Sequence, residues 1–550
     1  MTDHALSGRT AELKEYLIGV QVFDRSDDFD PRLDPIVRVE ARRLRRKLAE
    51  YYAGEGAQDE VVLELPKGSY VPEFRLRRDD TTSSSEQRPP ERNSVAVLPF
   101  RNIGFEADHD YFSDGLTEEL IHVLTRVPGL RVVAWNSSAQ LKDAEDDFMK
   151  IRQHLNVATM LRGSIRRSGE CLRISVQLID TADGHFLWSD MYDRRMHDLL
   201  TIEAEIARSI AAALRMEVGL RSGVVARAAS TNTEAHTLVL LGRFHANRRT
   251  TEGLVKSAEC FKKAIAIDPS NAPAYAALAE AYVLLAEYCV GDSRTMTAEA
   301  HKAAETALQL DPTVAAAFNA LACVRGSHDW EWEESERLYR EAIRLNPGYA
   351  IAHQWLGGDN LAVRGRLEEA HAELDIACRL DPLSGIIRES KGLAFLYERD
   401  YERALEVYRE VLELDPYYYR IHSAIGRALA QSGRYAEAIH HLELARVRCG
   451  EPPNVLAVLG QTYAWQGKIT EARAILSRLS QLAAQQPVSP ASFALIHIGL
   501  GEKEQALNLL ERALNERNWR VITLKVHPAY DPLRGEPRYQ ALLKKIGLSD

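Results

Sequence analysis

Cysteine is scarce and scattered in this 550-residue chain. The six residues, Cys171, Cys260, Cys289, Cys323, Cys378 and Cys449, form no C-x-x-C pair and no closely spaced framework. That argues against a zinc ribbon or a disulfide-stapled secreted scaffold and for reduced thiols buried in a core. Positive charge is not in excess: 69 Lys and Arg stand against 79 Asp and Glu, a net charge of −10. The molecule as a whole is no polycation, so any nucleic-acid contact has to come from a local patch. Long uncharged apolar runs are missing too. The most apolar stretch, Ala274 to Val290, holds Glu280 and Glu287 and carries helical spacing, so it reads as a packed helix and not as a membrane span. The opening MTDHALSGRTAELKEY has neither a basic n-region nor an apolar h-region, and the expectation is a cytoplasmic protein without membrane contact. A P-loop lysine, H-E-x-x-H and G-x-S-x-G are also lacking. We expect no catalytic residue, no metal and no cofactor.

What is present begins with size. At 550 residues with 45% hydrophobic content, the chain is too long for one core and has ample apolar material for several. In its C-terminal part a Pro preceded by Asp or Asn recurs: Asp268-Pro269, Asp311-Pro312, Asn346-Pro347, Asp381-Pro382 and Asp415-Pro416, the prolines 43, 35, 35 and 34 residues apart. Between them small residues (Gly460, Ala472) alternate with large ones (Tyr463, Leu476). The small residues let paired helices approach, and the large ones fill the space between successive pairs. The proline ends one unit and starts the next, because it lacks an N–H and crowds the preceding turn. A period near 34 with these marks resembles the tetratricopeptide (TPR) family over residues 234–518, in about eight helix–turn–helix units. The resemblance implies a helical solenoid with a concave groove for a protein or peptide; a spacer that only forms homo-oligomers is the plainer alternative. Tyr417, Tyr418, Tyr419 and Trp355 are candidates for lining the groove or for packing between repeats. His353, His440 and His441 read as surface or packing residues on repeat helices. Residues 519–550 are off-period and are expected to cap the last repeat with a polar outer face.

Residues 94–218 read as an α/β unit. SVAVLPF is long enough for a buried strand, and YFSDGLTEELI carries an apolar stripe at helical spacing that Ser113 or Asp114 can cap. A strand (Leu130 to Ala134), a helix (Phe148 to Leu155), three β-type runs (158–166, 172–180, 185–192) and an amphipathic helix, Leu199 to Met216, follow. Glu118 and Glu119 are adjacent on a helix and point in different directions, which favours a solvated or capping role over a paired-carboxylate site. These blocks, in order, resemble the TolB-like domain that precedes TPR arrays in many bacterial regulators. The resemblance implies protein contacts and no catalysis. Residues 219–233 form a connector.

In residues 1–78 the segment DPIVRVEARRLRRKLAEYY places Val37, Ala41, Leu44, Leu48 and Tyr51 on one helical face. Arg38, Arg42 and Arg45 form a stripe along one flank, with Arg46 beyond it and Arg43 and Lys47 further round. Val61 to Leu65 and then Ser69 to Pro72, about Pro66-Lys67-Gly68, read as a β-hairpin. A cationic helix followed by a hairpin resembles the recognition helix and wing of OmpR/PhoB-type winged-helix DNA-binding domains, here with the first helix absent or truncated. The resemblance implies contact with double-stranded DNA through Arg38, Arg42, Arg45, Arg46, Lys47 and Lys67, with Tyr70 as the wing aromatic. The bland alternative pairs these arginines with Glu40, Glu50 and the acidic run Asp24 to Asp30, and with 14 Lys/Arg against 15 Asp/Glu in residues 1–78 non-specific affinity would be modest. Residues 79–93, Ser- and Pro-rich, read as a flexible linker. CadC-like regulators place a membrane helix here, and this chain has none.

The fold class expected is therefore multidomain and mostly helical: an α+β winged-helix-like N-terminus, an α/β TolB-like domain and an all-α solenoid. The function expected is a non-catalytic, transcription-regulator-like protein that couples protein binding at the solenoid to DNA. A pure interaction scaffold is the alternative. Similar tails follow nucleotide-cyclase cores in some bacterial proteins, but every long segment here is assigned to another domain.

Overall fold

The computed structural model describes residues 15–23, 25, 36–54, 56, 59, 61–65, 70–76, 90–103, 110–168, 171–195, 205–206, 209–210, 212–213, 232–288 and 292–549. The chain divides into two compact units, Met1–Arg88 and Pro89–Asp550. In the first, helices α1 (Glu15–Val22) and α2 (Ile36–Ala53) precede an antiparallel pair, β1 (Val61–Glu64) and β2 (Glu73–Leu76). The core is Ile18 and Val37, with Val20, Phe23, Ile36 and Tyr70 packed around them. The hairpin's second strand begins later than the sequence suggests. Pro72, which has no N–H for a ladder, stands immediately before it. The apolar face of α2 is only half covered. Val37 and Ala41 are buried, whereas Leu44 and Tyr51 are 40% and 42% exposed.

The second unit opens with a mixed sheet of order β5-β3-β6-β7-β8, with β4 on β6. Its strands are β3 (Glu91–Val97), β4 (Arg101–Ile103), β5 (Arg131–Val132), β6 (Val157–Ser168), β7 (Cys171–Asp180) and β8 (Phe186–Arg195). β3 runs parallel to β5 and β6, and β6, β7 and β8 are antiparallel. Parallel strands need both faces covered, and the run Val95 to Phe100 is apolar throughout for that reason. Val95 and Val97 face α3 (Asp110–Leu124) and the helical residues Ile206 and Ile210. Ala96 and Leu98 share a cluster with Leu141, just past α4 (Trp135–Ala139), and with Ile151 and Leu155 of α5 (Phe148–Leu155). Helix α3 starts at Asp110, so Ser113 and Asp114 lie within its first turns and do not cap it.

Eight helical pairs follow among the described residues: α6 (Thr233–Asn247) with α7 (Thr251–Ile267), α8 (Ala272–Glu287) with α9 (Ser293–Leu310), α10 (Ala315–Val324) with α11 (Trp332–Leu345), α12 (Ala350–Trp355) with α13 (Leu367–Leu380), α14 (Gly385–Tyr397) with α15 (Tyr401–Leu414), α16 (Ile421–Gln431) with α17 (Tyr435–Arg448), α18 (Pro453–Trp465) with α19 (Ile469–Ala483), and α20 (Pro490–Gly499) with α21 (Lys503–Asn515). This is a TPR solenoid. Its punctuation is visible in the backbone. Asp268, Asp311, Asn346, Asp381 and Asp415 all leave the helix with φ between −131° and −144°, as a residue before proline must to avoid the ring. Within pairs, Gly392 lies so close to the Tyr408 ring that any Cβ would collide with it, and Tyr408 is fully buried.

The residues after the last pair pack against it: Leu524, Leu533, Tyr539 and Leu542 share one cluster with Ile498, Leu507, Leu510 and Leu514. Two 3₁₀ turns, Trp519–Thr523 and Pro528–Leu533, and α22 (Pro537–Lys545) turn back across the turns that join the two helices of earlier pairs. Trp519 Nε1 donates to the Glu287 carbonyl (2.9 Å), Trp332 Nε1 to the Ile546 carbonyl (2.7 Å), and Arg517 to the His328 carbonyl (2.7 Å) while stacking on Trp330. Arg399 reaches the Val526 carbonyl (3.0 Å) and Asp531 (2.8 Å). Aromatic side chains drive the reversal: Tyr530, Tyr539 and Trp332 are all buried in one cluster with Leu524 and Leu533.

Candidate functional site

On the N-terminal helix, Arg38, Arg42, Arg46 and Lys47 are exposed and Arg45 is half-buried. Arg45 Nε donates to the Leu65 carbonyl at 2.7 Å, so it fastens the helix to the end of β1. Arg43 sits 3.7 Å from Glu40, an exposed i,i+3 pair worth little in stability. Lys67 lies outside the described residues. Tyr70 belongs to the core around Ile18 and Val37 rather than to an exposed wing tip.

In the second unit the α/β domain is docked into the solenoid along two seams. At the first, α3 packs on α6 with Gly115 against Leu240. Here the expectation of solvated carboxylates is wrong. Glu119 pairs with Arg243 at 2.8 Å, both mostly buried, and Glu118 accepts from Asn247 at 3.1 Å. The two side chains do diverge, but α6 covers both directions. Burial pushes the Glu118 carboxyl up to about 7 against the pull of Arg243. For Glu119 burial is outweighed by the charge and hydrogen bond of Arg243, which hold it well below the usual carboxylate range. Burial, reinforced by Arg126, pushes His122 down to about 3, so it is neutral and accepts at Nε2 from Arg126 (2.8 Å).

At the second seam, the loop between the fourth and fifth pairs enters the α/β domain. Ala134 N donates to the Leu380 carbonyl (2.9 Å), Ser137 Oγ and Asn136 Nδ2 donate to Asp381, and Leu383 N donates to Ser137 Oγ (2.8 Å). The Leu383 side chain joins the cluster of Leu98, Ile151 and Met160. Asp381 is thus both a repeat terminator and a docking residue. Burial raises its pKa despite the hydrogen bonds from Ser137 and Asn136.

Inside the curl, Glu280 accepts from Asn319 (2.8 Å) and from Tyr349, and Arg420 donates to Tyr288 Oη at 2.8 Å across 132 residues of sequence. The candidate groove aromatics divide. Trp355 is core, Tyr417 is 74% exposed, Tyr419 stacks with His422 (ring centres 6.4 Å apart), and Tyr418 lines a cavity of about 180 Å³ at the second seam. His353 is a packing residue, buried and bound to Glu373 (2.6 Å). Cys260 is buried as expected, whereas Cys171 and Cys449 are exposed.

Residues 91–209 match the family described as HilA/YgeH-like transcriptional regulator, second domain. Tetratricopeptide families match residues 260–300, 357–419, 389–454 and 423–487. The chain carries a HilA/YgeH-like regulator domain and TPR repeats. Among curated relatives, "Putative adenylate cyclase 3" of Rhizobium meliloti (strain 1021) is 34% identical over 206 residues, 36% of this chain and 35% of that protein. Transcriptional regulator HilA of Salmonella typhimurium is 22% identical over 337 residues, 60% of this chain and 58% of HilA. The chain therefore spans about a third of the first relative and less than two thirds of the second. Of solved structures, Pseudomonas aeruginosa PilF is 24% identical, covering 37% of this chain and 91% of its own, with a TM-score of 0.29. The Thermus thermophilus TPR protein TTC0263 is 19% identical, covering 36% and 98%, with a TM-score of 0.31.

The docking residues Glu118, Glu119, Asp381 and Leu383 escaped sequence reasoning as a site. For Glu118 and Glu119 the one signal was the presence of two adjacent acids on a helix with an apolar stripe, and Asp381 and Leu383 carried none.

Proposed function

We propose that this protein is a cytoplasmic, non-catalytic transcription-regulator-like protein. Its winged-helix-like residues 1–78 contact duplex DNA through Arg38, Arg42, Arg45, Arg46, Lys47 and Lys67. The linker 79–93 leads to a TolB-like domain, residues 94–218. The connector 219–233, the solenoid 234–518 and its C-terminal segment 519–550 complete a receiver for a protein or peptide signal. The observation that carries this reading is the presence of a HilA/YgeH-like regulator domain and TPR repeats in one chain whose N-terminal unit exposes a cationic helix. Cyclase activity is not carried over from the named relative, because the shared stretch is 35% of that protein.

The test is fluorescence anisotropy of a labelled duplex with the full chain over a salt series. Each phosphate contact adds roughly 0.9 to the slope of log K against log salt, so Arg42→Ala and Lys47→Ala should weaken binding and shallow that slope by about one contact each. Arg45→Ala is a poor probe, since it also cuts the bond to the Leu65 carbonyl. Absence of binding at the lowest salt would rule out the DNA half of the proposal. A pure interaction scaffold is the second reading, favoured by the net charge of −10 and by Arg45 being spent within the fold.

A further inference from the structure

In seven of the eight TPR pairs, those whose turns lie among the described residues, the chain passes from the first helix to the second through one residue in the left-handed region, directly before the second helix's N-cap. In the pairs beginning with α12, α16, α18 and α20 that residue is glycine: Gly365, Gly433, Gly467 and Gly501. Glycine is the residue that takes this conformation without a Cβ penalty. Three pairs use a larger residue there instead: Arg249 (φ 50°), Trp330 (φ 63°) and Arg399 (φ 65°). A strained residue of this kind persists where its side chain does something glycine cannot. For two of the three the structure supplies the reason. Trp330 stacks under Arg517, and Arg399 binds Val526 and Asp531, so both hold the returning C-terminal segment.

Arg249 is the third: its backbone N–H donates to the Ala246 carbonyl (3.0 Å), and its side chain makes no hydrogen bond or ion pair among the described residues. It lines the 180 Å³ cavity at the second seam, beside Arg248. The other charges of that wall are committed. Asp381 is taken by Ser137 and Asn136, Asp415 accepts the Tyr417 N–H, and Arg388 pairs with Glu410 at 2.6 Å. Asp381, Glu280 and Glu287 contribute a longer-range field around Arg249, and Glu280 is itself capped by Tyr349 and Asn319. Arg248 stacks on Phe244, its guanidinium 4.7 Å from the ring centre. The uncommitted group of the wall is thus the Arg249 guanidinium, in a chain of net charge −10.

We infer that the cavity at the junction of α4, the turn after α6 and the loop before α14 is a binding site for a small oxyanion, a carboxylate or a phosphate, held by Arg249. Guanidinium binds either group through paired N–H donors. At about 180 Å³ the cavity is smaller than the roughly 300–1,000 Å³ of drug-sized ligand sites, which favours a small ligand. Occupancy would bridge the α/β domain to the solenoid, because Asn136 and Gln140 line the same cavity and the neighbouring Asn247 holds Glu118 across the first seam. The inference does not depend on DNA binding.

The test uses the full chain with two probes, inorganic phosphate and succinate, each titrated in thermal-shift and calorimetric assays at ionic strength matched with sodium chloride. We expect saturable one-to-one binding of one probe, the better of the two naming the ligand class. Arg249→Gly restores the turn's usual residue, so it should melt at or above the parent temperature while binding falls at least tenfold. Arg249→Lys keeps the charge and should retain part of the affinity. Lack of saturable binding by either probe, or unchanged affinity in Arg249→Gly, overturns the proposal.

Discussion

The insertion of Leu383 into a neighbouring domain's core can be tested by removing it. Leu383 belongs to the loop between two solenoid pairs, yet its side chain is 7% exposed within the cluster of Leu98, Ile151 and Met160. In Leu383→Ala the fold loses the transfer energy of a buried isobutyl group and keeps part of the resulting cavity. Such substitutions cost about 2 to 5 kcal/mol, and at a seam that can close slightly about 2 to 3 is expected. The loss should fall on the docking and not on the helices that flank the loop, whose own packing does not involve this side chain. Hydrogen exchange read by mass spectrometry on the full chain separates the two. Peptides covering β3 and α5 should lose protection, while α12 to α15 keep theirs. Leu310→Ala, at the C-terminal end of α9 and 43% exposed, is the control and should cost well under 1 kcal/mol. The reasoning fails if Leu383→Ala costs no more than the control, or if faster exchange is confined to α12–α15.

The first seam gives a pH signature. The Glu118 pKa in the fold, about 7, lies above its ordinary 4.5, so the folded state favours the protonated acid. Its contribution is complete below pH 4.5 and is lost as pH rises through 7. Glu118→Gln should therefore leave the melting temperature unchanged near pH 4.5 and raise it above pH 7 by the equivalent of about 1 to 3 kcal/mol, and a flat difference across that range would contradict the burial argument. His122 titrates the other way, losing stability as pH falls from 6.5 toward 3, and comparing variant with parent at each pH cancels it. Trp332→Phe keeps the ring's bulk and leaves the buried Ile546 carbonyl without its donor, a loss of about 1 to 3 kcal/mol. Limited proteolysis should then cut within residues 516–549 sooner, and an unchanged pattern would mean the bond does not hold the segment.

The parts of this molecule that follow a period were legible in advance, and the parts that depend on who covers whom were not. Proline spacing near 34 and the small-then-large alternation locate the solenoid, because a helix pair cannot bury its apolar side alone and the same solution recurs. The strand SVAVLPF was legible for a similar reason, since a run apolar at every position must be covered on both faces. Glu118 and Glu119 were misread because adjacent helical positions diverge by 100°, and that geometry says nothing about a partner helix wide enough to meet both. Asp381-Pro382 looked like any other repeat terminator, although its carboxylate holds Ser137 and Asn136. In the N-terminal unit the helical face was drawn from spacing alone, and the exposure of Leu44 and Tyr51 shows that spacing sets a direction without supplying a cover.

The returning C-terminal segment changes what a TPR groove can mean here. The aromatic residues Trp519, Tyr530 and Tyr539 and the chain reversal around them lie against the turns of the second, third and fifth pairs, and the α/β domain occupies the loops of the fourth. A peptide that docks on those turns has to displace a segment of the same chain, whose effective concentration is set by its tether and not by mass action. Displacement exposes Tyr539 and Leu533, both fully buried, so the competing ligand must offer comparable apolar area. The arginines at the turns supply the polar half of the same logic. Arg399 is satisfied by the returning segment, whereas Arg249 faces a cavity at the opposite seam, so a small oxyanion there would meet no competing segment and could tighten the docked state rather than open it.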